Sequence, residues 1–303
     1  MRIATAQYQS NMNQSLQLNQ ERLSTLTQQM ATGKRILLPS SDPVDSVRMS
    51  RLEREEAALT QYRDNIAAVK TRLTKTEGYL SNVVNDIVAG RDQLVWALDG
   101  GNTPGDLAAM ASPLMALRDS LFYSGNTVDQ EGRYVFSGTM TDSAPIAYDG
   151  SAPPGSRYSY AGNLNEQRVI VGNGLTQVAN DNVQGLEDLL NGLDATIAAL
   201  SGPAPDPNDP AVRATLTANL DGFDDALNLM SGKIAVMGGK QNILDTLDSN
   251  HANVSLSNQM ALTDIGQLDM GVAATELNGY STALQATYKA YSRIGTLSLF
   301  SAL

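Results

Sequence analysis

The side chains able to do chemistry are few and scattered. His251 is the one histidine in 303 residues, and there is no cysteine. The missing thiols remove disulfides, thiolate nucleophiles and sulfur-ligated metals, so the folded form must rest on packing alone. A lone imidazole has no second histidine to help it bind a metal, and the place of His251 in a helical stripe makes it a packing residue. Asp221, Asp224 and Asp225 cluster three carboxylates. They lack the spacing and the terminal glutamate of a calcium loop and read as a solvated acidic face. Ser231-Gly-Lys-Ile-Ala and Gly238-Gly-Lys-Gln-Asn hold Gly-Lys steps without the frame of a phosphate loop, and read as helix residues at a kink. Asn13-Gln-Ser and Asn253-Val-Ser match the glycosylation triplet by chance, since no secretory signal accompanies them. Trp96 and Tyr62 fall near one helical face and read as core. No nucleophile, base and oxyanion set can be assembled. The expectation is a chain with no catalytic residue, no metal site and no cofactor.

The bulk properties agree. Hydrophobic residues make up 42% of the chain and aromatics only 5%, a composition of aliphatic helical packing with enough apolar mass for a real core. A net charge of -11 opposes nonspecific binding to nucleic acid and to anionic lipid. No apolar run reaches the length of a bilayer span, and the first twenty residues lack the apolar core of an anchor or ordinary signal peptide. Neither nucleic acid nor membrane insertion is expected, and export would need another route.

The elements that remain are long helices. Met12, Leu16, Leu23, Leu26 and Met30 recur at steps of four and three, with Asn19 filling one slot. After a turn the pattern resumes at Leu59, Tyr62, Ile66, Val69, Leu73, Leu80, Val83, Ile87 and Leu94, predicting a helix over 44–98. Thr103-Pro104 caps a third helix whose stripe is Leu107, Met110, Leu114, Leu117, Leu121 and Val128, and the short link at Gly100 and Gly101 predicts an antiparallel hairpin. From Gly132 to Pro210 the texture changes to short β-like runs, RYVFSG, SRYSYAG and QRVIVGNG, the last two placed to pair across GNLNE. A short helix follows over 185–200. Asp209-Pro210 then launches a final helical region. Its stripe runs through Leu220, Phe223, Leu227, Met230, Ile234 and Met237, shifts phase near Leu247 to Val254, Ala261, Ile265, Leu268 and Val272, and continues through Leu277, Tyr280, Leu284, Tyr291 and Ile294. The fold class is mainly α, a long antiparallel coiled-coil rod built by both chain ends with a small mixed α/β insert.

The two ends are poor in charge. Ile3 to Gln20 has no charged residue, and Gln241 to Tyr288 has no Lys or Arg. Gly266, Gly271 and Gly279, read as helix-interior residues costing about 1 kcal/mol each, weaken the last arm. Exposed helices normally carry ion pairs, so these arms look covered by neighbouring copies.

Between the first two helices stands a sharp corner. Gly33 supplies a left-handed cap, Lys34 and Arg35 follow at a helix C-terminus, Pro39 punctuates the turn, and Asp42-Pro43 caps and starts the next helix. This stretch, LTQQMATGKRILLPSSDPV, resembles the N-terminal motif of the flagellin superfamily, and its PSSDP ending is similar to the hook-associated branch. GRYVFSG, at 132–138, and LQATYKAYSRIGTLSLF, at 284–300, are similar to the hook-associated protein 3 family. Ser41 departs from a frequent Asp and leaves the cap intact.

The resemblance implies a non-enzymatic axial protein, secreted without a cleavable signal peptide through the flagellar type III apparatus to the hook–filament junction outside the cell. Implied partners are further copies in a ring, the first hook–filament junction protein, flagellin, and an export chaperone on the C-terminal arm. The implied layers are 1–43 with 271–303 as the polymerisation layer, 44–130 with 211–270 as a helical rod, and 131–210 as the β-containing insert. The polymerisation residues would be Ile3, Met12, Leu16, Leu23, Leu26, Met30, Leu277, Tyr280, Leu284, Tyr288, Tyr291, Ile294, Leu297 and Phe300. The corner at Gly33, Lys34, Arg35, Pro39, Asp42 and Pro43 would pass between layers and touch neighbouring subunits. The alternatives are a flagellin filament subunit and a cytoplasmic coiled-coil scaffold.

Overall fold

A computed structural model describes residues 2–202 and 205–296. Among these, the elements in order are α1 (Arg2–Thr32), α2 (Pro43–Ala97), α3 (Pro104–Gly125), β1 (Ile146–Tyr148), β2 (Tyr158–Tyr160), β3 (Arg168–Gly172), β4 (Leu175–Val178), α4 (Leu186–Leu200), α5 (Pro210–Gly266) and α6 (Met270–Thr296). The mainly α fold with a small β-containing insert is the one expected. Two compact units are present, Met1–Leu59 with Ala252–Leu303, and Thr60–His251. No helix among the described residues is long and apolar enough to cross a membrane.

The helix starts follow from local chemistry. Thr103 Oγ1 accepts from the Asp106 amide at 3.2 Å, and Asp106 Oδ2 accepts from the Thr103 amide at 2.9 Å, a reciprocal capping box ahead of α3. Asp209 Oδ1 accepts from the Ala211 amide at 2.8 Å at the start of α5. Within α3, Pro113 sits on the exposed side. An interior proline costs about 3 kcal/mol, and the burial of Met110, Leu114 and Leu117 around it keeps the helix in place.

In the unit Thr60–His251, one face of α2 is the wall on which the core is built. Ile66, Val69, Leu73, Leu80, Val83, Ile87, Leu94 and Ala97 are all buried at steps of three and four or their multiples. The two empty slots in that register are Thr76, buried with its hydroxyl donating to the Arg72 carbonyl at 2.9 Å, and Gly90. Leu107, Leu114 and Leu121 of α3, Leu189, Leu193 and Ile197 of α4, and Phe223, Met230 and Met237 of α5 complete the same apolar cluster. Arg63 to Asp248, at 2.8 Å, and Arg91 to Asp224, at 2.6 Å, join α2 and α5 in antiparallel order along their exposed edges. Asp224 therefore faces an arginine. The buried Asp194 carboxylate is satisfied by Arg118 at 3.1 Å, Arg157 at 3.4 Å and the Gly155 amide at 3.1 Å.

Several expectations are corrected. β2 pairs with β1, and β3 with β4, rather than β2 with β3. The tight turn at Asn173-Gly174, with Gly174 at φ +71°, closes β3 onto β4 locally, while Asn163 bonds the Thr139 amide at 2.9 Å and diverts the GNLNE segment. Val128 lies beyond the end of α3 and is exposed. Trp96 is 54% exposed, because Leu94 and Ala97 take the inward slots of that turn. The stripe of α5 undergoes no phase shift. Ser255 and Asn258 are its buried residues beyond Leu244, whereas Val254 is exposed; polar side chains in the original register hid its continuation. His251 keeps a packing role, its Nε2 lying 2.8 Å from the Val171 carbonyl and its ring 5.6 Å from that of Tyr62.

Gly90 admits a close approach between α2, α3 and α5. A Cβ there would lie 2.2 Å from Leu117 Cδ2 and 2.6 Å from the ring of Phe223, whereas one at Gly232 in α5 meets nothing within 4 Å. Alanine gains about 1 kcal/mol over glycine in a helix interior, and overpacking a core costs about 1–3 kcal/mol. Gly90→Ala should therefore lower the denaturant midpoint and Gly232→Ala raise it, both measured by urea unfolding followed by circular dichroism.

Candidate assembly site in the terminal unit

The unit Met1–Leu59 with Ala252–Leu303 holds every residue assigned to assembly. α1 and α6 pack against each other in antiparallel fashion. The Gln20 amide donates to Tyr288 Oη at 2.9 Å, and Leu26 lies near Tyr280. On α1 the inward stripe is Met12, Leu16, Asn19, Leu23, Leu26 and Met30, as the spacing predicts, but only Leu26 is fully buried. On α6 the inward positions are Ala273, Leu277, Tyr280, Leu284 and Thr287, of which Ala273 and Leu284 are buried. A pair of helices covers only part of each other's stripe, so Met12, Leu16, Leu23, Met30, Leu277 and Tyr280 remain half-buried. Tyr288, 51% exposed, and Tyr291 stand outside the pair. Leu297 and Phe300, and the side chains of Ile3 and Ile294, lie outside the described residues.

A second group of apolar side chains in this unit was not anticipated. Val44, 77% exposed, and Val47 flank Arg48 and Arg51 on α2, and Leu256 and Met260 on α5 are also exposed. Their spacing follows the outer faces of helices whose inner faces are occupied, and the search for one stripe per helix passes over them. Val272, expected in the inward stripe, is exposed because Ala273 takes the inward slot of α6.

The corner is built from two chain reversals bonded to each other. Gly33 ends α1 with φ +70°, a conformation that strains any residue with a Cβ. A second reversal, absent from the sequence reading, separates α5 from α6: α5 stops at Gly266, and Asp269 Oδ1 accepts from the Gly271 amide at 2.8 Å and the Val272 amide at 3.1 Å to start α6. Gly266 and Gly271 thus lie at helix ends, where they do not weaken a helix interior. Its signal was the Gly266-Gln-Leu-Asp269 step, a stop residue followed by a cap. The Arg35 amide donates to the Gly266 carbonyl at 2.8 Å and the Leu268 amide to the Gly33 carbonyl at 3.0 Å, pairing Lys34 with Gln267 in an antiparallel bridge.

Arg35 ties the corner together. Its Nε donates to the Ile265 carbonyl at 2.8 Å, Nη1 to Asp42 at 3.2 Å and Nη2 to Asp45. The expected attraction to the C-terminus of its own helix is replaced by one to the last turn of α5, because Gly33 has already turned the chain. Asp42 caps α2 by accepting from the Asp45 amide at 3.2 Å, and Pro43 is the first residue of the helix. That amide, and after it the Arg35 guanidinium, hold the Asp42 carboxyl below its usual value of 3.8. Lys34 and Pro39 are exposed on the turn.

Arg35→Met removes three side-chain bonds. Hydrogen exchange at the amides of Arg35's position and Leu268 should quicken about fivefold, the effect of a partly exposed ion pair, with the core of α2 over 66–97 unchanged. The folded state favours charged Asp42, so its contribution is complete above the ordinary carboxylate value and is lost as the pH falls below about 4. Protection of the same amides, corrected for intrinsic exchange, should fall over that interval in the wild type and stay flat in Asp42→Asn.

Known proteins resemble this chain throughout. Residues 3–141 match the family model of the bacterial flagellin N-terminal helical region. Flagellar hook-associated protein 3 of Escherichia coli strain K12 is 30% identical over 316 aligned positions, with 99% of each chain covered. Its counterpart in Salmonella typhimurium is 27% identical, again over 99% of each chain. A solved structure, a flagellar hook-associated protein of Vibrio parahaemolyticus, superposes with a TM-score of 0.67 at 33% identity, over 75% of this chain and 100% of that one. Since the likeness runs from end to end and includes the corner and both arms, the chain belongs to the flagellar hook-associated protein 3 family.

Proposed function

We propose that this chain is a structural axial protein of the bacterial flagellum, joining the first hook–filament junction protein to the flagellin filament by self-association in a ring. The observation that carries this reading is the full-length likeness to hook-associated protein 3, which favours the junction role over that of a bulk flagellin subunit. Its location would be the extracellular hook–filament junction, reached by export without a cleavable signal and with a chaperone on the C-terminal arm.

The physical mechanism is folding coupled to assembly. The α1–α6 pair leaves much of its stripe in water, and an amphipathic face gives a long helix most of its stability only when it is covered. Neighbouring copies would cover the half-buried residues Met12, Leu16, Leu23, Met30, Leu277 and Tyr280 together with exposed Tyr288 and Tyr291. Residues 1–43 with 271–303 are read as the inner polymerisation layer, 44–130 with 211–270 as the rod, and 131–210 as the outward insert. The bonded reversals at Gly33–Asp42 and Gly266–Asp269 would hold the turn between layers while it touches the next subunit.

Deleting the gene in its motile host should leave hooks without filaments and flagellin shed into the medium, seen by electron microscopy and immunoblotting. Loss of flagellin everywhere would identify the chain as the filament protein, and normal filaments would reject an axial role. In vitro, limited proteolysis of the monomer should trim both arms and leave a fragment near 44–270. A full-length monomer that resists the protease would count against folding coupled to assembly.

A further inference from the structure

In the unit Thr60–His251 a groove of about 630 Å³ runs between α2 and the loop that follows α3, lined by Arg72, Lys75 and Tyr79 of the helix and by Asp129, Glu131 and Arg133 of the loop. Its charges are unevenly matched. Arg133 is neutralised locally by Asp129, at 3.4 Å, and Glu131. Arg72 makes no ion pair among the described residues, although the Asp129 charge lies near enough to attract it. Its guanidinium is half-buried, and the hydrogen bond it makes, from Nη1 to Gln167 Oε1 at 2.6 Å, is to a neutral amide. Burial first, and then the nearby Arg133 charge, press its pKa down. Lys75, three residues along the same helix, is exposed and forms no ion pair among the described residues.

A half-buried cation whose attracting carboxylate, Asp129, is already paired with Arg133 is costly, and a structural explanation for it is incomplete. Holding Gln167 in place needs one N–H, while a guanidinium carries five in a planar fork. Gln167 is also anchored without Arg72, since its amide donates to Asn180 Oδ1 at 2.8 Å and its Nε2 to the Gly138 carbonyl at 3.1 Å. This anchored acceptor fixes the guanidinium in the groove wall, which lowers the ordering cost of binding. In a chain of net charge -11, the cations Arg72, Lys75 and Arg133 against the carboxylates Asp129 and Glu131 leave this groove with a positive balance.

We infer that this groove binds a carboxylate, with Arg72 as the planar donor fork and Lys75 as the second charge. Carboxylates match the fork with two parallel N–H···O bonds. The carboxylate belongs either to a small free acid or to an acidic side chain presented on a peptide, and the test separates the two. Amide shifts of residues 71–82 and 129–135 in the full chain are followed by NMR at low salt, during titration with citrate and, separately, with an aspartate-rich peptide. Saturable citrate binding, weakened about tenfold in Arg72→Gln and about threefold in Lys75→Gln, supports the site and a free acid. The same losses seen with the peptide alone support the site and a peptide-borne carboxylate. Lys75→Gln alters an exposed side chain and so reports on the charge even if Arg72→Gln disturbs Gln167. Absence of saturable binding by either probe, or an equal loss in Arg51→Gln outside the groove, overturns the proposal.

Discussion

The structure depends on one constraint: a long helix with a narrow apolar stripe cannot remain alone in water. α2 is 55 residues long, and its inward positions recur at steps of three and four along most of that length. Where α3, α4 and α5 all reach this stripe, as in the unit Thr60–His251, burial is nearly complete and the core includes fully buried Leu80, Ile87, Leu94 and Phe223. Gly90 belongs to the same solution, its missing side chain letting Leu117 and Phe223 come close. In the terminal unit the corresponding demand is met by fewer helices, and much of the apolar surface stays partly wet. The units differ in how many helices share one apolar stripe.

The corner shows a complementary use of polar groups. Reversing a helical chain leaves backbone amides and carbonyls without helical partners. Here two reversals, far apart in the chain, satisfy each other through the bonds between Arg35 and Gly266 and between Leu268 and Gly33. Arg35 then extends the pairing to the carboxylates that start α2. Position in the terminal unit is thereby set by hydrogen bonds at one end and by apolar packing along the α1–α6 pair.

These two features suit a protein whose task is to occupy a place in an assembly. Several of the carboxylates held below their ordinary values, Asp42 and Asp106 among them, are helix caps, so their charge serves chain reversal and helix starts. Family membership assigns the chain to the flagellum's hook-associated proteins, and its half-covered arms carry the apolar surface that the proposed assembly would bury.

What the residues determined by themselves was whatever local chemistry or period can express. The helix starts at Asp42-Pro43, Thr103-Pro104 and Asp209-Pro210 are caps that act within a few residues, and the stripes of α1 and α2 repeat often enough to be read directly. The motif at Gly33–Pro43 and the C-terminal arm carried the family. Tertiary structure alone decided the exposure of Trp96 and the burial of Thr76, Ser255 and Asn258. Each of these depends on which neighbour occupies a slot, and a side chain's polarity does not state that. It also decided that Arg35 serves α5 instead of α1 and that the reversal at Gly266–Asp269 is bonded to the one at Gly33. Those bonds join residues more than two hundred positions apart, a separation across which no local propensity acts.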